Sequence, residues 1–266
     1  MCLVIALSGV VPGAPLIVAA NRDERYARPS VALAVLREHG PRVLGGQDQM
    51  AGGSWLAVNE HGVVAALTNQ RLETPPDPAK RTRGDIPLAF TGYPTAAQAV
   101  QEVCASLVSS EYNPCWLLVG DSRELYSVDV TGGTRPRVTR LEPGMHVLEN
   151  VPLGSDSAKA AQIAARVTAE RAARANGGSG EAVQRSATGA LATVLSQHDE
   201  APGAAGRPDR SPACVHTADV GTRSTTIVTV PPVGPPILRV SDGPPCQAPL
   251  LAVAGLWEER RPAGLS

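Results

Sequence analysis

Short apolar runs separated by glycine and proline dominate the start of the chain. Residues 2–8 and 15–20 are almost unbroken apolar stretches on either side of a Pro12-Gly13 turn. A strand covered on one face alternates apolar and polar residues, whereas one covered on both faces reads as a continuous apolar run. The two stretches therefore predict a hairpin buried on both faces. The polar Asn21-Arg22-Asp23-Glu24-Arg25 that follows is expected to project from the sheet's end. Arg42-Val-Leu-Gly-Gly, Ser54 to Val58 and Val63 to Thr68 extend this into a meander, with an Asn59-Glu-His-Gly62 turn between the last two. Residues 70–94, rich in Pro, Arg and Asp, read as a loop excursion. Ala96, Ala99, Val100, Val103 and Leu107 then recur at helical spacing and predict a helix with one apolar face.

The second half repeats the alternation of sheet and helix. Strands are expected at 115–119 and 125–130 around the Asp121-Ser122 turn, with more sheet material at 137–148 interrupted by Pro143-Gly144. Ser155-Asp156 can cap a helix running to about Asn176, where Gly177-Gly178 stops it, and a second helix spans about 181–196. Residues 198–212 read as a mobile loop. Beyond it, 213–218 and 224–230 read as β-branched strands joined by 219–223, and 237–240 as a last strand. The tail from 244 is too rich in proline to place. Helices after a strand-rich half suggest a helical layer stacked on sheet. Without internal repeats, residues 1–266 read as one domain.

Composition narrows the function. With 24 Lys and Arg against 25 Asp and Glu the chain is nearly neutral, and no basic run marks a nucleic-acid or membrane-surface partner. No apolar run reaches the ~18 residues of a membrane span, and the start is too lightly charged for a secretory signal. The expectation is a soluble, cytoplasmic protein. The five cysteines are scattered without CxxC spacing and the five histidines form no HExxH pattern, which argues against a disulfide framework, a zinc site or a catalytic metal. Arg83-Gly84-Asp85 carries no adhesion reading in such a chain.

The chemistry centres on Cys2. Removal of Met1 would place a free α-amine beside the Cys2 thiol, and with reference pKa values of roughly 8 and 8.5 the amine can take the thiol proton at neutral pH. A cysteine opening a buried strand explains the same residue without chemistry. Asn69, at the end of an apolar strand, can donate two hydrogen bonds into a cleft or simply terminate the strand. Asn150, shortly before Pro152, fits a turn, and Arg223, where a strand begins, fits a solvated strand end.

Six ordered motifs carry a resemblance. Met1-Cys2, Asn21-Arg22-Asp23-Glu24, Arg28-Pro29-Ser30, Gly52-Gly53-Ser54-Trp55-Leu56, Ala66-Leu67-Thr68-Asn69 and Gly221-Thr222-Arg223-Ser224-Thr225, with Asn150-Val151-Pro152, resemble the NRDE-motif family over residues 1 to about 230. That family, known as the transport and Golgi organisation protein 2 family, looks related to the N-terminal nucleophile hydrolases of the penicillin V acylase and bile-salt hydrolase branch. The resemblance implies an α+β fold, a four-layer αββα sandwich of two antiparallel sheets. It implies Cys2 as nucleophile, Asp23 steadying the amine, Asn69 as oxyanion donor, Asn150 as a second polar site residue and Arg223 as a distal one. Asn21, Arg22 and Trp55 are expected to bind substrate. In one respect the chain departs from the acylases, which carry an Arg where Ala20 stands. Ala20 and Arg22 lie two apart and share a strand face, so Arg22 can fill similar space.

The implied activity is cleavage or transfer at a C–N amide, linear or lactam, of a small molecule through an acyl-thioester on Cys2, without a cofactor. The alternative is a non-catalytic carrier of a hydrophobic ligand such as an acyl-CoA or haem, held by Cys2, His61, His146 or His216.

Overall fold

The computed structural model describes residues 2–71, 74–174, 180–201 and 211–258. Among these residues, thirteen strands pair into two antiparallel sheets. The first sheet holds β1 (Cys2–Ser8), β2 (Leu16–Arg25), β10 (Gly144–Leu148), β11 (Val220–Val230), β12 (Ile237–Asp242) and β13 (Leu251–Val253), in the order β10-β1-β2-β11-β12-β13. The second runs in chain order from β3 (Ser30–Arg37) through β4 (Val43–Asp48), β5 (Leu56–Asn59), β6 (Val64–Asn69), β7 (Cys115–Gly120) and β8 (Leu125–Val130) to β9 (Arg137–Leu141).

Strand parity builds the layers. In β1, Val4 and Ala6 face the second sheet with Leu16, Val18 and Ala20, while Leu3, Ile5 and Leu7 face the other way with Ile17 and Ala19. The outward set packs on α3 (Ala158–Ala173) and α4 (Gly180–Leu195) through Ile163, Val167, Leu191 and Val194. The outer face of the second sheet packs on α1 (Asp85–Phe90) and α2 (Ala96–Ser106) through Ile86, Phe90, Ala99 and Val103. The result is the αββα sandwich that the continuous apolar runs require, because each sheet is covered twice.

Several boundaries differ from expectation. β2 does not end at Ala20 but continues through the polar stretch to Arg25, since β11 pairs with it along its whole length from Leu16 to Arg25. β3 went unrecognised because residues 30–37 are only half-buried at the sheet's edge. The excursion at 70–94 contains α1. α3 begins one or two residues late, with Ser157 rather than Ser155 or Asp156 accepting the capping bond from the Ala160 N–H. Its expected stop at Gly177-Gly178 lies outside the described residues. The segment 213–218 is not a strand; apart from one isolated bridge between His216 and Gly221 it is irregular. β11 instead starts at Val220. The tail yields β13, paired to β12. Of the loop at 198–212, residues 202–210 lie outside the described set. No described helix is long and apolar enough to cross a membrane.

Candidate active site

Strand parity also decides which parts of the Asn-Arg-Asp-Glu motif can meet a ligand. Cys2 pairs with Arg22 across β1 and β2, so both side chains share the inter-sheet face with Ala20. At the strand ends this face opens into a cavity of about 300 Å³, lined by Cys2, Arg22, Trp55, Leu67, Asn69 and Arg83 among others.

Arg22 is buried and held on three sides. It donates to Ser30 Oγ at 3.1 Å, approaches Glu24 at 4.0 Å, and stacks over the Trp55 ring with Cζ 4.4 Å from the centroid. A desolvated contact of this kind is worth ~2 kcal/mol. Burial lowers the Arg22 pKa, with the charges of Cys2 and Glu24 acting in the opposite sense. Trp55 fits only because residue 46 is glycine; a Cβ there would stand 1.9 Å from the indole ring. Next to Arg22, Arg28 forms a 2.6 Å ion pair with Asp48. The Arg-Pro-Ser motif therefore supplies one side of the cavity and the rest for Arg22.

Cys2 is buried, and burial pushes its thiol above the ordinary range. The Arg22 charge and a hydrogen bond from the Asp23 backbone N–H favour the thiolate but do not outweigh desolvation. The Asp23 side chain leaves on the opposite face of β2. There its Oδ1 accepts from Thr222 Oγ1 at 2.6 Å, and burial raises its pKa against the pull of Lys159 and Thr222. Lys159, buried at the start of α3, donates to Ser211 Oγ at 3.0 Å.

Asn69 ends β6 in the cavity wall, and its side-chain amide makes no hydrogen bond among the described residues. Asn150 does not line the cavity; its amide donates to the Asn69 backbone carbonyl at 2.6 Å and so buttresses it. Arg223 is also outside. It is the extra residue of a bulge in β11 and donates to the carbonyls of Arg25 and Tyr26 at 2.9 and 2.8 Å, clamping the turn after β2. Asn21 is likewise turned from the cavity. Its amide donates to the carbonyls of Leu195 and Ala213 at 2.9 and 2.8 Å and its oxygen accepts from Thr225 at 2.6 Å. Asn21, expected to bind substrate, and Arg223, expected as a distal site residue, thus both spend these bonds within the protein.

Arg83 enters the site unannounced by the sequence. Gly53, at φ +73°, lies so close to Gly84 that a Cβ would meet its carbonyl carbon at 2.5 Å, and the Ser54 N–H donates to Gly84 O at 3.0 Å. This docking brings the neighbouring Arg83 to the cavity. Its guanidinium makes no ion pair or hydrogen bond among the described residues, and burial lowers its pKa. The Gly-Gly spacing was visible, but its partner about thirty residues further on, beyond β5 and β6, was not. Of the histidines considered as ligands, His61, His146 and His216 do not line this cavity.

A sandwich of two antiparallel sheets between helices, with a cysteine opening the first strand at a cavity between them, defines an N-terminal nucleophile hydrolase fold. A penicillin V acylase from Agrobacterium tumefaciens superposes with TM-score 0.54 over 91% of this chain and 83% of its own, at 10% identity. A conjugated bile acid hydrolase from Clostridium perfringens follows with TM-score 0.50 over 91% and 89%, at 12% identity. The chain belongs to the transport and Golgi organisation 2 family, whose model matches residues 1–234. A Mus musculus homologue of that name is 43% identical over 74 residues, 27% of this chain and 26% of the homologue. The Homo sapiens homologue is 42% identical over 78 residues, 28% of each chain. The matched segment thus spans little more than a quarter of either relative.

Proposed function

We propose that this protein is an N-terminal nucleophile amidohydrolase or acyltransferase, acting through Cys2 on a small acyl amide that carries an anionic group. The observation that carries the proposal is the placement of Cys2 in the cavity with the Asn69 amide, which makes no hydrogen bond among the described residues, in its wall. With Met1 removed, the α-amine of Cys2 takes the thiol proton as Sγ attacks the amide carbonyl. Asn69 donates to the resulting oxyanion. The C–N bond then breaks, the amine leaves with that proton, and the acyl group remains as a thioester. Water, or an acceptor amine in transfer, attacks the thioester and restores the thiol. Asp23 holds the α-amine in this scheme, and burial of the thiol makes the amine necessary as its base.

The charge of the wall supports the anionic substrate. Arg28 is taken up by Asp48 and Arg81 by Asp85 and Glu111, but Arg83 is unpaired among the described residues and stands near Lys80 in the lining. A guanidinium of this kind suits a carboxylate or phosphate. Such a lining does not favour a purely apolar ligand. A screen of acyl amides in neutral and carboxylated pairs tests the reading. Mass spectrometry is expected to show Met1 absent, and carboxylated amides to turn over with Cys2→Ala inactive. An active protein that retains Met1 would overturn the mechanism. Arg83→Ala should raise KM for the carboxylated member alone, and an equal effect on both members would overturn the anionic preference.

A further inference from the structure

A second cluster of reactive side chains lies away from the Cys2 cavity. His198 follows α4, Cys214 and His216 belong to the irregular segment before β11, and Cys246 lies in the turn after β12. Cys214 Sγ is 3.6 Å from Cys246 Sγ and 3.5 Å from His216 Nε2, and His216 Nε2 is 3.2 Å from Cys246 Sγ. One ligand atom from each of the four residues lies within 4.8 Å of all the others.

The three separations among Cys214, His216 and Cys246 match edges of a tetrahedron around a zinc ion, and the His198 ligand atom lies within 4.8 Å of each of them. Zn–S bonds of about 2.3 Å and Zn–N bonds of about 2.0 to 2.1 Å place neighbouring ligand atoms roughly 3.3 to 3.8 Å apart. His198 is oriented in the way a metal ligand requires. Its Nδ1 lies 3.1 Å from the Cys214 carbonyl oxygen; donating there puts the proton on Nδ1 and leaves the Nε2 lone pair free. We infer that His198, Cys214, His216 and Cys246 form a zinc-binding site. Two thiolates and two imidazoles in a tetrahedral set select zinc over hard cations such as magnesium or calcium. Four protein ligands leave no open position, so the site is structural. Binding converts both thiols to thiolates and releases their protons to solvent.

The ion would join three segments that are remote in sequence, and these segments support the Cys2 site from behind. Next to Cys214, the Val215 N–H donates to Thr222 Oγ1 at 2.9 Å, and Thr222 in turn donates to Asp23. The carbonyls of Leu195 and Ala213, which hold the Asn21 amide, belong to the same segments. Zinc would therefore stiffen the wall behind Asp23 without touching substrate. Binding does not depend on the amidase reading, since its readout is the metal itself.

The full chain, reduced, desalted, incubated with zinc and gel-filtered, should retain one zinc per chain by elemental analysis. Cobalt in its place should give the d–d bands of a tetrahedral ion with a thiolate charge-transfer band. Cys246→Ser and His198→Gln lie in exposed or loop positions and should fold, as checked by circular dichroism, yet retain zinc well below one per chain. Cys104→Ser should retain it fully. Zinc should raise the Tm of the wild-type chain and not of Cys246→Ser. Failure of the wild-type chain to retain zinc, full retention by Cys246→Ser, or a Cys214–Cys246 disulfide that persists in reductant would each overturn the inference.

Discussion

The Cys2 site and the group around Cys214 and Cys246 are built in opposite ways. Cys2 sits on a strand, and its neighbour Arg22 is fixed by the β1–β2 register. Cys214 and Cys246 sit on irregular segments, with their partners gathered from loops. Around Cys2 the lining is charged and the cavity open, so the proposed attack by its sulfur would have room for a substrate and donors for the charge that develops. Around Cys214 a second thiol and two imidazoles gather, with the four ligand atoms within 4.8 Å of one another. The contrast teaches that a thiol's role is set by what converges with it. A single sulfur beside unbonded donors suits catalysis; two sulfurs with two imidazoles suit a resident cation.

The largest effect that can break this contrast is exchange of the sulfurs. Cys2→Ala should lower amide turnover by about 10³-fold or more and abolish labelling by an acylating probe. Cys246→Ser should leave the labelling of Cys2 intact while losing zinc. The reverse pattern would dissolve the assignment. Next in size, Asn69→Ala should lower kcat by about 10²- to 10³-fold with little change in KM, as expected for an oxyanion donor. An equal loss confined to KM would make Asn69 a substrate anchor instead.

A smaller effect separates neighbours within one motif. Asn21→Ala removes the amide that joins β2 to the carbonyls of Leu195 and Ala213, and urea denaturation should show a loss of about 1 to 3 kcal/mol with KM unchanged. A raised KM with stability intact would return Asn21 to the cavity. The smallest is a displacement along the pH axis. Burial raises the Cys2 thiol, so in a chain that retains Met1 its alkylation by iodoacetamide should rise only above the ~8.5 of an ordinary cysteine. Removal of Met1 should move that profile toward neutrality, and identical profiles would remove the α-amine from the mechanism.

Much of the fold was legible because burial on both faces leaves a direct mark on the sequence. The runs at 2–8 and 15–20 announced a doubly covered hairpin, and β1 and β2 are that hairpin. Edge strands left a weaker mark: β3 is half-buried and β13 mostly exposed, so neither needs a strong apolar pattern. The site was legible as a set of motifs, but not as a division of labour. Period-two alternation separates Arg22 from Asn21 and Asp23, yet only the partners on each face show that Arg22 meets the cavity while Asn21 meets α4.

From the sequence alone follow the family, the doubly covered sheets and Cys2 as the residue to watch, because these depend on local order and short-range pattern. Only the tertiary structure decided that Asn21 and Arg223 spend their hydrogen bonds inside the protein, that Arg83 reaches the cavity, and that scattered cysteines meet two histidines. Each of these depends on chain segments far apart in sequence, brought together by sheet pairing and loop docking, and such convergence leaves no periodic signature along the chain.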